Sequence, residues 1–151
     1  MPKEFGSEVR IARIFNTYGP RMRIDDGRII PNFITQALRD QPITVYGDGK
    51  QTRSFCYVSD MVSGLISLMG SDMKAKPVNF GNEDEMTVLE VAERIKNLTG
   101  SGSEIVFKDL PENDPERRKP DISLAKGLGW EPSISFDEGL KKTIEWFRGM
   151  L

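Results

Sequence analysis

No histidine occurs in this chain, and its one cysteine is Cys56. The first absence removes serine–histidine and cysteine–histidine nucleophilic machinery, together with histidine metal sites. The second excludes an intrachain disulfide and leaves no thiolate cluster, so no metal site is expected. Charge of one sign is lacking as well. Lysine and arginine number 21 against 23 aspartates and glutamates, and such a balance gives no argument for nucleic acid. No apolar run approaches the ~18 residues of a membrane span. The opening residues 1–8 carry no apolar stretch like that of a signal peptide. A cytoplasmic location follows by default, with the Golgi lumen as the alternative if an anchor precedes the chain. Repeats, low-complexity tracts and flexible linkers are missing, and so is the glycine fingerprint of a dinucleotide loop.

What is present is a soluble-type composition, 38% hydrophobic and 29% charged over 151 residues. A chain of that size suits one domain and buries roughly 70% of its unfolded surface. Val9–Phe15 is rich in β-branched and aromatic residues, with apolar side chains on both parities. That pattern predicts a strand buried on both faces, as in a parallel sheet. Ile29–Arg39 has apolar residues at helical spacing and is closed by Pro42. Ile43–Tyr46 and Thr52–Val58 flank Gly47-Asp-Gly-Lys50 and read as a hairpin. Ser59 or Asp60 is placed to cap a helix carrying Met61, Val62, Leu65, Ile66 and Met69. Val78–Phe80 and Ile105–Phe107 read as short strands. Thr87-Val-Leu-Glu90 and Ser135-Phe-Asp-Glu138 are capping boxes that open two further helices, the first stopped by Gly100. Pro111–Pro120 is a charged, proline-punctuated loop, and Ile122–Leu128 a short helix capped by Asp121. Strands and helices intermix as in α/β folds.

Three polar segments are candidates for chemistry. Asn16-Thr-Tyr-Gly-Pro-Arg21 follows a strand directly, where open α/β sheets bind ligands. The Asn16 amide can donate to a phosphate oxygen and accept from a sugar hydroxyl; by composition alone the segment is a turn. Arg53, in Gln51-Thr-Arg-Ser-Phe55, offers bidentate charge-assisted bonds to phosphate, or else pairs with Asp48 or Asp60 at the surface. Asp114-Pro-Glu-Arg-Arg-Lys-Pro-Asp121 is a solvated loop or a second arginine site. Two decoys fall away. Tyr46-Gly-Asp-Gly-Lys50 matches a catalytic Tyr-x-x-x-Lys by letter, but two glycines replace the helical turn that such a pair needs. Gly100-Ser-Gly102 follows a helix and not a strand.

Ala12–Arg21, Gln51–Asp60, Val78–Asn82, Arg118–Ile122 and Gly129-Trp-Glu-Pro132, in that order and spacing, resemble the UDP-glucuronate decarboxylases (UDP-xylose synthases). These belong to the extended short-chain dehydrogenase/reductase, or NAD-dependent epimerase/dehydratase, family. The resemblance runs from about Glu8 to Phe147. One departure is Ala125-Lys-Gly-Leu-Gly129, one residue shorter than the family's usual run. The resemblance implies an α/β fold: the C-terminal part of a Rossmann-type enzyme, mostly its substrate-binding subdomain. On this expectation residues 1–151 form a single C-terminal portion with late Rossmann strands at about 9–15 and 78–80. The NAD-binding half, with the glycine loop and the Tyr-x-x-x-Lys pair, is expected upstream and absent.

The family reaction so implied converts UDP-glucuronate to UDP-xylose and CO2, with NAD oxidising and then reducing C4 of the sugar. In this chain Asn16, Arg28, Thr44, Tyr46, Arg53 and Arg118 would contact the UDP-sugar. Arg53 would be the pyrophosphate ligand, and Thr44–Arg53 the segment closing over the nucleotide. Arg118 would meet the sugar carboxylate or donate a proton. Arg28 is either a residue of the site's mouth or a surface residue, and Thr17 would touch the cofactor. NAD itself is not expected to bind this chain well. The chain alone is therefore expected to be inactive, and either marginally stable, self-associating or paired with a full-length subunit. Two alternatives stand beside this reading: an inactive UDP-sugar-binding or pairing module, and a part of a sister nucleotide-sugar epimerase or 4,6-dehydratase.

Overall fold

The computed structural model describes residues 6–112 and 117–151. Its elements run β1 Ile11–Ile14, β2 Thr17–Tyr18, α1 Ile29–Leu38, β3 Ile43–Tyr46, β4 Thr52–Arg53, β5 Cys56–Tyr57, α2 Val58–Met69, β6 Pro77–Phe80, β7 Met86–Thr87, α3 Val88–Thr99, β8 Ile105–Lys108, β9 Arg117–Arg118, α4 Ser123–Gly127 and α5 Phe136–Met150. No helix among the described residues is long and apolar enough to cross a membrane.

Helices form where the apolar period is 3.6 and the ends are chemically closed. In α3 the Thr87 hydroxyl accepts from the Glu90 amide at 3.1 Å, while the Glu90 carboxylate accepts from the Thr87 amide at 2.7 Å. Its last turn ends at Gly100 in the left-handed region, φ 67°. Ser135 opens α5 by accepting from the Glu138 amide at 3.2 Å. These boxes satisfy amides that a helix start leaves without partners. The Asp121 carboxylate accepts from the Ser123 amide at 3.0 Å, one residue ahead of the expected cap geometry.

Sheet pairing is mostly parallel and comes in small pieces. β1 pairs with β6, β2 with β5 and β3 with β8, all parallel. β4 lies between β7, antiparallel, and β9, parallel. One apolar cluster, including Ile34, Ile43, Val45, Val91, Ile95, Leu140 and Phe147, fills the space between α1, β3, α3 and α5. A second gathers Cys56, Met61, Leu68, Val78, Phe80, Ile122, Ala125 and Trp130 around α2, β6 and α4. Gly64 lets α2 approach closely, because a Cβ there would lie 2.6 Å from the Phe80 ring.

Four expectations are corrected. The hairpin around Gly47–Lys50 is not formed: β3 takes β8 as its partner, over four residues, and β4 is too short to compete. Gly47 and Gly49, at φ 71° and 76°, instead turn the chain away from β3. The single strand Thr52–Val58 is broken into β4 and β5, with Val58 already in α2, because the chain changes partner between them. Neither Ser59 nor Asp60 caps α2. The Asp60 carboxylate, 6% exposed, accepts instead from the Ser133 amide and hydroxyl and the Ile134 amide at 2.9–3.0 Å. Finally, β1 is not buried on both faces: β6 pairs along it and α2 packs against it, yet Ile11 and Ile14 stay exposed.

Candidate functional site

Five of the residues singled out in the sequence line one cleft of about 280 Å³: Asn16, Arg28, Thr44, Tyr46 and Arg53. Thr17 lines it too. They come from four separate places in the fold. Asn16 follows β1, and its carbonyl accepts from the Cys56 amide at 2.8 Å, where the β2–β5 ladder begins. Arg28 precedes α1 and pairs with Asp26 at the rim. Thr44 and Tyr46 share the outer parity of β3, while Ile43 and Val45 on the other parity are fully buried. Arg53 lies on β4.

Arg53 is 5% exposed, a rare state for an arginine, and its Nη1 donates to the Thr52 carbonyl at 2.7 Å. Its expected surface partners are engaged elsewhere. Asp48 accepts from the Lys50 amide, and Asp60 bonds the 133–134 segment. Arg118 is the register partner of Arg53 across the β4–β9 ladder. Its side chain, and residues 113–116 of the charged loop before it, lie outside what the structure describes.

The lining has a sign. Among the described residues Arg28 and Arg53 are the cations lining the cleft, and no carboxylate does. Of the two, Arg28 shares its charge with Asp26, and the chain as a whole carries a formal charge of −2. The remaining wall is apolar and aromatic, with Met22, Ile30, Phe33 and Phe55. That combination suits an anion carried on a ring system, bound in a pocket at the small end of the usual ~300–1,000 Å³ range.

Two hydroxyl groups in the cleft are poor candidates for proton transfer. Thr17 donates its hydroxyl to the Phe15 carbonyl at 2.9 Å. Tyr18 donates to the Phe136 carbonyl at 3.2 Å, and burial raises the pKa of its phenol well above the usual value. It stays protonated and serves as packing, edge-on to Tyr57. Tyr46, which ends β3 and is followed by the Gly47 turn, has no lysine one helical turn away; the letter match with Lys50 is not a catalytic pair.

Sequence reasoning passed over Gln51, Phe33 and Phe55 as site residues. Gln51 lines the cleft and donates to the Tyr46 carbonyl at 2.8 Å, holding the turn closed. Phe33 belongs to the apolar stripe of α1, and periodicity locates a buried face but not a gap in it. Gln51 and Phe55 flank Arg53 in the quoted segment, and that proximity was the available signal.

A family model described as the NAD dependent epimerase/dehydratase family matches residues 1–81. UDP-glucuronic acid decarboxylase 1 of Xenopus tropicalis is 56% identical over 147 residues, covering 97% of this chain and 35% of that protein. UDP-glucuronic acid decarboxylase 3 of Arabidopsis thaliana is 56% identical over 148 residues, covering 97% and 43%. Among solved structures, the UDP-glucose 4-epimerase of Thermotoga maritima with UDP-glucose superposes with a TM-score of 0.92 at 32% identity, over 99% of this chain and 48% of that one. The UDP-glucuronic acid 4-epimerase of Bacillus cereus, in complex with UDP-glucuronic acid and NAD, gives 0.90 at 27% identity, over 99% and 48%. The chain thus spans less than half the length of these relatives.

Proposed function

Since the chain belongs to the NAD dependent epimerase/dehydratase family, we propose that it is the UDP-sugar-binding part of a UDP-glucuronate decarboxylase. The reaction served is UDP-glucuronate to UDP-xylose and CO2. The observation that carries this reading is the convergence of Asn16, Arg28, Thr44, Tyr46 and Arg53 on one cleft that no carboxylate lines among the described residues. The identity of 54–56% to decarboxylases, against 27–32% to the solved epimerases, favours the decarboxylase over a sister epimerase or dehydratase.

Each residue has a task that its chemistry suits. The buried Arg53 guanidinium takes the diphosphate, whose charge needs a cation that water does not screen. Arg28, shared with Asp26, closes on the same group at the rim. Asn16 donates to a phosphate oxygen or accepts from a sugar hydroxyl. Tyr46 and the apolar wall receive the flat face of the base. Arg118, beside Arg53 in the ladder, meets the sugar carboxylate or delivers the proton that replaces it.

The residues of this chain do not fit NAD by themselves. The sequence has no G-x-G-x-x-G, and the described residues form no glycine loop between a strand and a helix N-terminus. No redox step is assigned to them, and these 151 residues alone are expected to lack decarboxylase activity. The exposed edge of β1 is the surface on which a complementary half, a full-length subunit or a second copy would add a strand.

The test is a calorimetric titration of the chain with UDP, repeated on Arg53→Ala. Saturable binding that weakens at least about tenfold in the variant supports the reading. A folded chain that binds no UDP overturns it as a property of this molecule.

A further inference from the structure

We propose that Asn79 and Glu83, neither of which lines the cleft, are positioning residues: they grip the Asp121–Ile122 peptide from both sides and so aim Arg118 at the sugar carboxylate. The inference rests on the UDP-glucuronate reading above and adds to it the device that holds the arginine.

The ladder that carries Arg118 is short. β9 pairs with β4 over two residues, Arg117 beside Thr52 and Arg118 beside Arg53. So brief a pairing does not hold a strand by itself. Toward the C-terminus the chain reaches Asp121 through Lys119 and Pro120 alone. Both links are stiff. The Pro120 ring fixes its own φ, and it restricts Lys119 to extended backbone. A shift at residue 121 is therefore passed on to Arg118 rather than absorbed.

Residues 79–83 form the seat for that stretch. Gly81 makes room for the buried Pro120, since a Cβ there would lie 2.9 Å from Pro120 Cγ. A polar side chain stands on either side of this glycine. Asn79 Nδ2 donates to the Asp121 carbonyl at 3.1 Å, and the Ile122 amide donates to Glu83 Oε1 at 3.4 Å. Carbonyl and amide belong to one planar peptide unit and point away from it in opposite directions. The Ile122 side chain, 2% exposed, anchors one end of that unit but leaves its rotation open. A donor on one side and an acceptor on the other fix the rotation, and with it the direction in which the chain leaves toward Arg118. The second Glu83 oxygen accepts from Lys126 Nζ at 3.3 Å, which steadies the carboxylate.

UDP-glucuronate and UDP-glucose differ only in a carboxylate against a hydroxymethyl group on the sugar. The ratio of their affinities therefore reads the contact assigned to Arg118, and a general loss of binding cancels out of it.

The experiment is calorimetric titration of the 151-residue chain with both nucleotide sugars. The variants are Asn79→Leu, Glu83→Leu, Glu83→Gln, Arg118→Ala and the double variant Asn79→Leu/Arg118→Ala, with circular dichroism as the folding control. Wild type is expected to favour UDP-glucuronate about tenfold, and Arg118→Ala to abolish the preference. Asn79→Leu and Glu83→Leu, which keep bulk but remove the donor or the acceptor, reduce it to about twofold. The conservative Glu83→Gln keeps an oxygen for the Ile122 amide and retains it. Adding Asn79→Leu to Arg118→Ala changes the ratio no further. The inference is overturned by folded Leu variants with the wild-type ratio, by an equal effect in the Arg118→Ala background, or by both Leu variants failing to fold. A wild type that binds both sugars equally also overturns it and leaves the UDP-sugar site intact. A folded wild type that binds neither overturns that site and the inference with it.

Discussion

β1 and β3 are four-residue strands, each paired in parallel with a single neighbour, and they meet opposite fates. In β3 the inward residues Ile43 and Val45 are completely buried under α1 and α3, while the outward Thr44 and Tyr46 face the cleft. In β1 Ile11 and Ile14 remain exposed, the latter at 57%. The difference lies in what packs on each strand rather than in the strands themselves. Around β3 three helices, α1, α3 and α5, close a core within this chain. Around β1 the described residues place β6 and α2, and the apolar stripe Val62, Ile66 and Met69 of α2 is exposed. The cleft side of the molecule is therefore closed by its own helices, while the β1–α2 side leaves apolar surface exposed.

The sharpest break of that comparison is a matched pair of truncations. Ile43→Ala is expected to cost about 2–5 kcal/mol, because it opens a cavity under two helices. Ile14→Ala is expected to stay within about 0.5 kcal/mol, because its side chain already meets water. Urea unfolding of both variants gives the numbers; equal losses would mean that β1 is covered in solution and the contrast is false.

The seam between the two sides depends on Asp60. Its carboxylate takes three donors from residues 133–134, and its carbonyl accepts from the Trp130 indole at 2.9 Å. Asp60→Ala strands two backbone amides and should destabilise by about 2–4 kcal/mol. Trp130 fluorescence should report the loss at a lower urea concentration than in wild type. A loss below about 1 kcal/mol would show that water replaces the carboxylate there.

The smallest effect comes from Cys56 in the second cluster, where burial pushes the thiol up to about 12 from 9.0. Between those two values the unfolded thiol ionises and the folded one does not. Its contribution is thus fully present below pH 9 and lost as pH rises toward 12. At pH 8 the thiol should react slowly with an alkylating probe when folded and at once in urea. Rapid labelling of the native chain would mean that the β6–α2 side opens freely, which would sharpen the contrast with β3.

Helices were legible wherever period and caps agreed. α1, α3 and α5 follow from apolar spacing, and Thr87–Glu90 and Gly100 close α3 as read. Strand partnership was not legible. Gly47-Asp-Gly-Lys50 carries hairpin chemistry, yet β3 finds a longer ladder with β8, some sixty residues on. Asp60 carries cap chemistry, yet a loop seventy residues away offers it three donors. Of the cleft residues, Asn16 and Arg53 were visible as chemical types beside turns, while Arg28, Thr44 and Tyr46 came only with the family resemblance. The paired contact of Gln36 with Thr44 was not visible, since it exists only once α1 lies against β3.

The amino-acid sequence by itself determined the helices, the ends closed by Thr87, Ser135 and Gly100, the family resemblance and the set of polar groups available for binding. These depend on interactions between residues a few positions apart, which any chain of this sequence carries with it. Tertiary structure alone decided which strand is sealed and which is open. It also brought four separate segments to one cleft. Those outcomes turn on long-range pairings that compete with one another, and the winner is the one that buries more apolar surface and leaves fewer amides without a partner.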